Sequence, residues 1–135
     1  MKLIVRRLFV FLILTFCLVC ACTKRSVQGE KKLPVASIKF LTPAVGQSFN
    51  SGDTVIVNAV AVSTADLHGY DILIRKAGET TNLEFQHIHD HNDTINIQYK
   101  WKNTLIGGHN MEAEITVYLD HDLNYKREKV TFKLQ

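Results

Sequence analysis

The chain has 135 residues, is 46% hydrophobic and 21% charged, and carries a formal net charge of +3. Three of its sixteen basic residues, Lys2, Arg6 and Arg7, precede an apolar N-terminal run, and all thirteen acids follow that run. The remainder is near neutral, which excludes nucleic-acid binding or a polybasic membrane role resting on charge.

Lys2, Arg6 and Arg7 form a positive n-region, and "LFVFLILTFCLVC" after them is an apolar run of about thirteen residues, short for a membrane span and suited to a signal peptide. The run ends in "VCAC", residues 19–22, which resembles the bacterial lipobox. Cys22 is the expected site of diacylglycerol attachment, because Ala21 supplies the small residue before the cut, whereas Cys20 would have Val19 there. An ordinary secretory signal cleaved nearby is the alternative. Residues 1–21 are therefore expected to be a lipoprotein signal peptide. Residues 22–34 are expected to be the lipidated cysteine and a flexible polar tether. Cys17 and Cys20 leave with the signal and Cys22 is consumed by lipid. That leaves residues 23–135 without a disulfide, a thiolate ligand or a cysteine nucleophile. The expected location is the bacterial cell envelope, with the lipid bilayer as partner through the N-terminal diacylglycerol. The basic start of the tether favours the periplasmic face of the outer membrane over surface exposure.

From Val35 onward the patterns are those of strands. Segments 36–41, 54–62, 69–77, 82–89, 94–101, 111–119 and 125–134 are rich in β-branched and aromatic residues, and the last five alternate apolar with polar. Pro, Gly, Asn and Asp punctuate the gaps between them. Tyr70, Ile72 and Ile74 share one side, as do Ile95, Ile97, Tyr99 and Trp101. So do Met111, Ala113, Ile115, Val117 and Leu119, with Glu112, Glu114 and Thr116 opposite. Residues 35–135 are expected to form an all-β, Ig-like antiparallel β-sandwich of about seven strands. A five- or six-stranded barrel is the alternative.

Strand direction then sorts the six histidines. Chain reversals place His68, His87, His89, His91 and His121 at one end of the domain and isolate His109 at the other. The alternation puts His68 in register with Tyr70, His87 and His89 in the row of Leu83 and Phe85, and His121 in the row running from Met111 to Leu119. Each row is read as core-facing and ending in imidazole at the rim. Neutral imidazole is the common ligand of Zn²⁺ and also suits Cu²⁺. A closed set of His68, His87, His89 and His121 is expected, with His91 able to replace any member. Asp66, Asp90, Asp120 and Asp122 are candidates to ligate directly or to accept a second ring N–H. A hydrogen-bonded polar cap on the core, made by the same residues without metal, is the competing reading. The Asp-His-Asp of residues 120–122 also suits a tight turn.

The stretches "ADLHGYDILIRK", "HIHDH" and "VYLDHDLNYKREKVTF" together resemble a family of small Ig-like lipoproteins of Bacteroides-type bacteria, a domain of unknown function. Its pattern is a lipobox, an "LHGY"-like element, a histidine pair or triplet, a central Trp and a "DHxGN"-like turn. Here these fall at residues 67–70, residues 87–91, Trp101 and residues 120–124. Leu123 stands where the family has Gly, which puts the geometry of that turn in doubt. The resemblance implies the fold and the anchoring, and brings no activity.

Three functions follow from these readings. The first is an envelope lipoprotein binding a divalent transition metal, Zn or Cu, through the clustered histidines. The second is a non-catalytic Ig-like adhesion, carbohydrate-associated or protein-interaction module with no metal. The third, an enzyme, is disfavoured. Glu84 has the opposite parity from His87, Glu79 lies at the other end, and no nucleophile motif or phosphate loop appears.

Overall fold

The computed structural model describes residues 32–122 and 124–135. The signal segment, Cys22, the tether before Lys32, and Leu123 lie outside the described residues.

Eight strands follow in order: β1 Ala36–Thr42, β2 Ser48–Phe49, β3 Thr54–Ser63, β4 Tyr70–Lys76, β5 Asn82–Ile88, β6 Thr94–Lys102, β7 His109–Tyr118 and β8 Tyr125–Leu134. They build a three-stranded sheet, β1-β3-β6, and a five-stranded sheet, β2-β8-β7-β4-β5. Among the described residues there is no helix. The chain is an Ig-like β-sandwich. The two-residue β2, inside a segment read as turn only, is the addition to the expected seven strands, and it pairs parallel to β8.

The core forms because alternate residues of the facing strands are apolar. From the smaller sheet come Val55, Val57, Ala59, Ala61, Ile95, Ile97 and Trp101. From the larger come Tyr70, Ile72, Ile74, Met111, Ala113, Ile115, Val117, Val130, Phe132 and Leu134. Each fully buried aliphatic side chain in this set contributes about 1.5–3 kcal/mol relative to exposure. Tyr99 packs against the same core, so the inward parity of Tyr99 and Trp101 holds.

The strand β5 departs from expectation. Its register with β4 pairs Tyr70 with Ile88, Ile72 with Gln86 and Ile74 with Glu84. Directly paired residues share a face, so Glu84, Gln86 and Ile88 turn inward. Leu83, Phe85 and His87 turn outward, and Leu83 and Phe85 are 37% and 51% exposed. As the terminal strand of its sheet, β5 has only one hydrogen-bonded neighbour, and of its inward residues only Ile88 is apolar and packs against the core. Burial raises the Tyr99 hydroxyl's pKa, as does its hydrogen bond to Glu84.

The outer face of the larger sheet holds a second finding. Glu112 and Glu114, read as outward from the alternation, do face away from the core, yet are only 4% and 6% exposed. Arg75 from β4 bonds both carboxylates. Arg127 reaches Glu114 at 2.9 Å and Lys129 reaches Glu112 at 3.2 Å, both from β8. These long side chains lie over the carboxylates and exclude water from them.

Candidate functional site

The pole of the sandwich beyond the end of β3 is built by three chain reversals, 64–69, 89–93 and 119–124. Backbone hydrogen bonds tie them together. Leu67 N donates to Asn92 O at 3.1 Å, and Ser63 N to Asp93 O at 2.8 Å. His68 N donates to Tyr118 O at 2.8 Å, and Tyr118 N returns to Gly69 O at 3.0 Å. Leu67, fully buried, anchors the first reversal in the core. Gly69 lets that reversal close on β5. Its φ is 114°, and a Cβ there would stand 2.6 Å from the Ile88 carbonyl oxygen. Only glycine meets both conditions.

These ties bring five imidazoles into one continuous row of ring contacts. His121 and His68 have centroids 4.1 Å apart, His68 and His91 5.2 Å, His91 and His89 4.9 Å, and His89 and His87 6.2 Å. Beyond His87 the row continues to the Tyr118 ring at 6.0 Å. His68 is half-buried, and His87, His89, His91 and His121 are exposed. A cavity of about 240 Å³ opens among them, lined by His68, His87, His89, Tyr118, Asp120 and His121. His109 lies at the opposite pole, opposite Leu134 in the β7–β8 register, with Nε2 3.2 Å from Ile106 O.

The route to this arrangement differs from the one the alternation implies. His87 is not at the end of a core-facing row. It stands on the outer face, opposite Asp71, because of the β4–β5 register. His121 does not extend the β7 row either, because the strand ends at Tyr118 and the chain turns. The φ of Gly69 likewise interrupts alternation between His68 and Tyr70. Loop closure, rather than strand parity, gathers the rings.

The carboxylates divide by role. Asp120 is buried and accepts from Asp122 N at 2.9 Å, from Asn124 N at 3.2 Å and from Asn124 Nδ2 at 3.0 Å. It closes the β7–β8 reversal as a turn residue. Asp90 accepts from Asn92 Nδ2. Its charge, after burial, helps raise the Tyr70 hydroxyl's pKa. Asp66 and Asp122 are exposed. Asp71, which was not among the candidates, takes an imidazole nitrogen: its Oδ1 lies 2.6 Å from His87 Nδ1. Its other oxygen accepts from the Tyr118 hydroxyl at 2.5 Å. That hydrogen bond, then burial and the Asp71 charge, push the Tyr118 hydroxyl up to about 12. Neither Asp71 nor Tyr118 stood out in the sequence. Both become visible once β4 is laid beside β5 and β7.

Among the described residues, no group of three or more histidine, cysteine, aspartate or glutamate side chains is arranged to hold a metal ion as the rings stand. The pole offers imidazole nitrogens in number, one ring oriented by a carboxylate, and a cavity open to solvent.

No protein-family profile matches the chain, and no curated protein matches it. Among solved structures it is similar to a fibronectin(III)-like module of Clostridium thermocellum CbhA, at 13% identity and a TM-score of 0.49, covering 73% of this chain and 94% of that one. It is also similar to a CARDB domain from Pyrococcus furiosus, at 11% identity and a TM-score of 0.45, covering 74% of this chain and 95% of that one.

Proposed function

We propose that the chain is a non-catalytic binding module of the bacterial envelope, lipid-anchored through Cys22, whose working surface is the histidine pole. One observation carries this reading. Three separate reversals and the end of β5 bring five imidazoles together at one pole, four of them lining a single cavity, while the core beneath is already complete without them. Exposed side chains grouped by rigid loops on a packed scaffold are the usual layout of a binding site. Two nearby carboxylates, Glu84 and Asp120, are held in contacts of their own, which favours a binding role over catalysis. Glu84 is turned inward toward Tyr99, and Asp120 is engaged by its own turn.

The competing idea, a polar cap that holds the fold together, makes a different demand on stability. Replacing His89 and His121 together by alanine is expected to move the thermal midpoint by no more than about 3 °C, since exposed groups outside the core contribute little. A drop beyond about 10 °C would assign these imidazoles to the scaffold and end the binding-module reading. Anchoring is checked separately. Metabolic labelling with a fatty acid should mark the full chain, and Cys22→Ser should abolish the mark.

A further inference from the structure

We propose that the pole takes one divalent transition-metal ion of the imidazole-preferring class, Zn²⁺ or Cu²⁺, held by His68, His87, His89 and His121, with Asp71 and Tyr118 positioning His87. This names the ligand class of the binding module proposed above and rests on that reading.

Ring spacing is the first argument. With a metal–nitrogen bond of about 2.0–2.1 Å and the ring centre roughly 1.1 Å further on, two imidazoles on one tetrahedral ion have centroids about 5 Å apart. The cavity pairs bracket that value, His68 with His121 at 4.1 Å and His87 with His89 at 6.2 Å. Exposed rings can turn about their side-chain bonds, and bringing the two pairs onto one ion requires His91, which stands between His68 and His89 in the row, to swing aside. Backbone hydrogen bonds from Ser63, Leu67 and His68 to Asp93, Asn92 and Tyr118 tie the reversals that carry the rings.

The second argument is the arrangement behind His87. A ligating histidine usually gives its other ring nitrogen to a carboxylate, which fixes the tautomer and aims the remaining nitrogen. Asp71 engages His87 Nδ1, which leaves Nε2 as the nitrogen His87 can offer to an ion in the cavity it lines. The Tyr118 hydroxyl holds Asp71 in turn, and Tyr118 is among the residues lining the cavity. His91 plays another part. It packs edge-on against the rings of both His68 and His89, and it is not among the described residues lining the cavity.

The donor set selects the metal. All four donors are imidazole nitrogens, which suit Zn²⁺ and Cu²⁺ and leave Ca²⁺ and Mg²⁺ without the oxygen shell they need. Met111, a core residue at the far end of β7, offers no thioether to a softer ion.

The test uses untagged residues 32–135, which carry the complete sandwich core, freed of metal by chelation and titrated with Zn²⁺ alone and with Cu²⁺ alone in a calorimeter. One ion per chain is expected, with Cu²⁺ the tighter. His121→Ala should weaken Zn²⁺ binding at least 30-fold, and His68→Ala similarly, with circular dichroism confirming the fold of each. Asp71→Asn should weaken it about 10-fold, and His91→Ala by less than about 3-fold. No saturable binding, or affinity that survives the loss of His68 and His121 together, overturns the proposal. A His91→Ala loss as large as that of His121→Ala overturns the ligand set. Absence of binding with unchanged unfolding of the His89/His121 variant removes the metal and leaves the binding module standing. A collapse of unfolding temperature in that variant removes the module itself.

Discussion

Two regions of this molecule concentrate polar side chains, and they differ in how completely those groups are matched. On the outer face of the five-stranded sheet, Arg75, Arg127 and Lys129 cover Glu112 and Glu114, which are almost fully removed from water. At the pole, five imidazoles form a row of ring contacts; four are exposed, and three of these, His87, His89 and His121, line an open cavity with His68. The first cluster is closed on itself and belongs to the scaffold. The second keeps exposed rings around a cavity and is the surface proposed for recognition. Polar residues brought together by a fold are therefore not alike; the degree of internal matching separates architecture from function.

Perturbations of the two regions should differ accordingly. Arg75→Ala strips the shared partner from two buried carboxylates and is expected to cost about 3 kcal/mol in urea unfolding. A loss below about 1 kcal/mol would show that the ion-pair belt is solvated and blur the distinction. Gly69→Ala sits where the scaffold supports the pole. It is expected to cost about 2 kcal/mol, from the positive φ and the contact with the Ile88 carbonyl, and to shift amide resonances in all three reversals. Tyr118→Phe removes the hydroxyl from Asp71 and is expected to cost about 1 kcal/mol. In the parent chain the Tyr118 hydroxyl titrates at about 12 rather than the usual 10.0, so its contribution is intact below pH 10 and disappears as pH rises toward 12. The absorbance of phenolate against pH reports this directly, and Tyr118→Phe should delete the latest step.

Acid acts on the belt in the opposite sense. Burial would raise the Glu112 carboxyl's pKa, but the hydrogen bonds from Arg75 and Lys129 outweigh it and hold it below its ordinary 4.5. The stability it supplies is present above pH 4.5 and is lost as pH falls through the lower folded value. Glu112→Gln should flatten the acid limb of a stability-versus-pH curve. At the other extreme, His89→Ala and His121→Ala are each expected to change unfolding free energy by less than about 0.5 kcal/mol.

The alternation within β6 and β7 made the core legible from residue types alone, because Ile95, Ile97, Trp101 and the Met111 to Val117 row are apolar on one side only. The gathering of histidines was legible through chain direction. The parity of β5 was not, because an edge strand does not need to turn its apolar residues inward, and Leu83 and Phe85 face solvent. Asp71 was invisible for a related reason. Nothing local distinguishes it from any outward acid, and its value comes from standing opposite His87 across a strand pair sixteen residues apart. The burial of Glu112 and Glu114 likewise depends on which long basic side chains the neighbouring strands place over them.

The central claim is that imidazoles from three reversals act as one site. The most direct measurement is nuclear magnetic resonance of the imidazole nitrogens during a Zn²⁺ titration, with His109 at the opposite pole as internal reference. The account requires the signals of His68, His87, His89 and His121 to change together and to finish at one equivalent, with His109 unmoved. Signals that move one after another, or a His109 response equal to theirs, would contradict it.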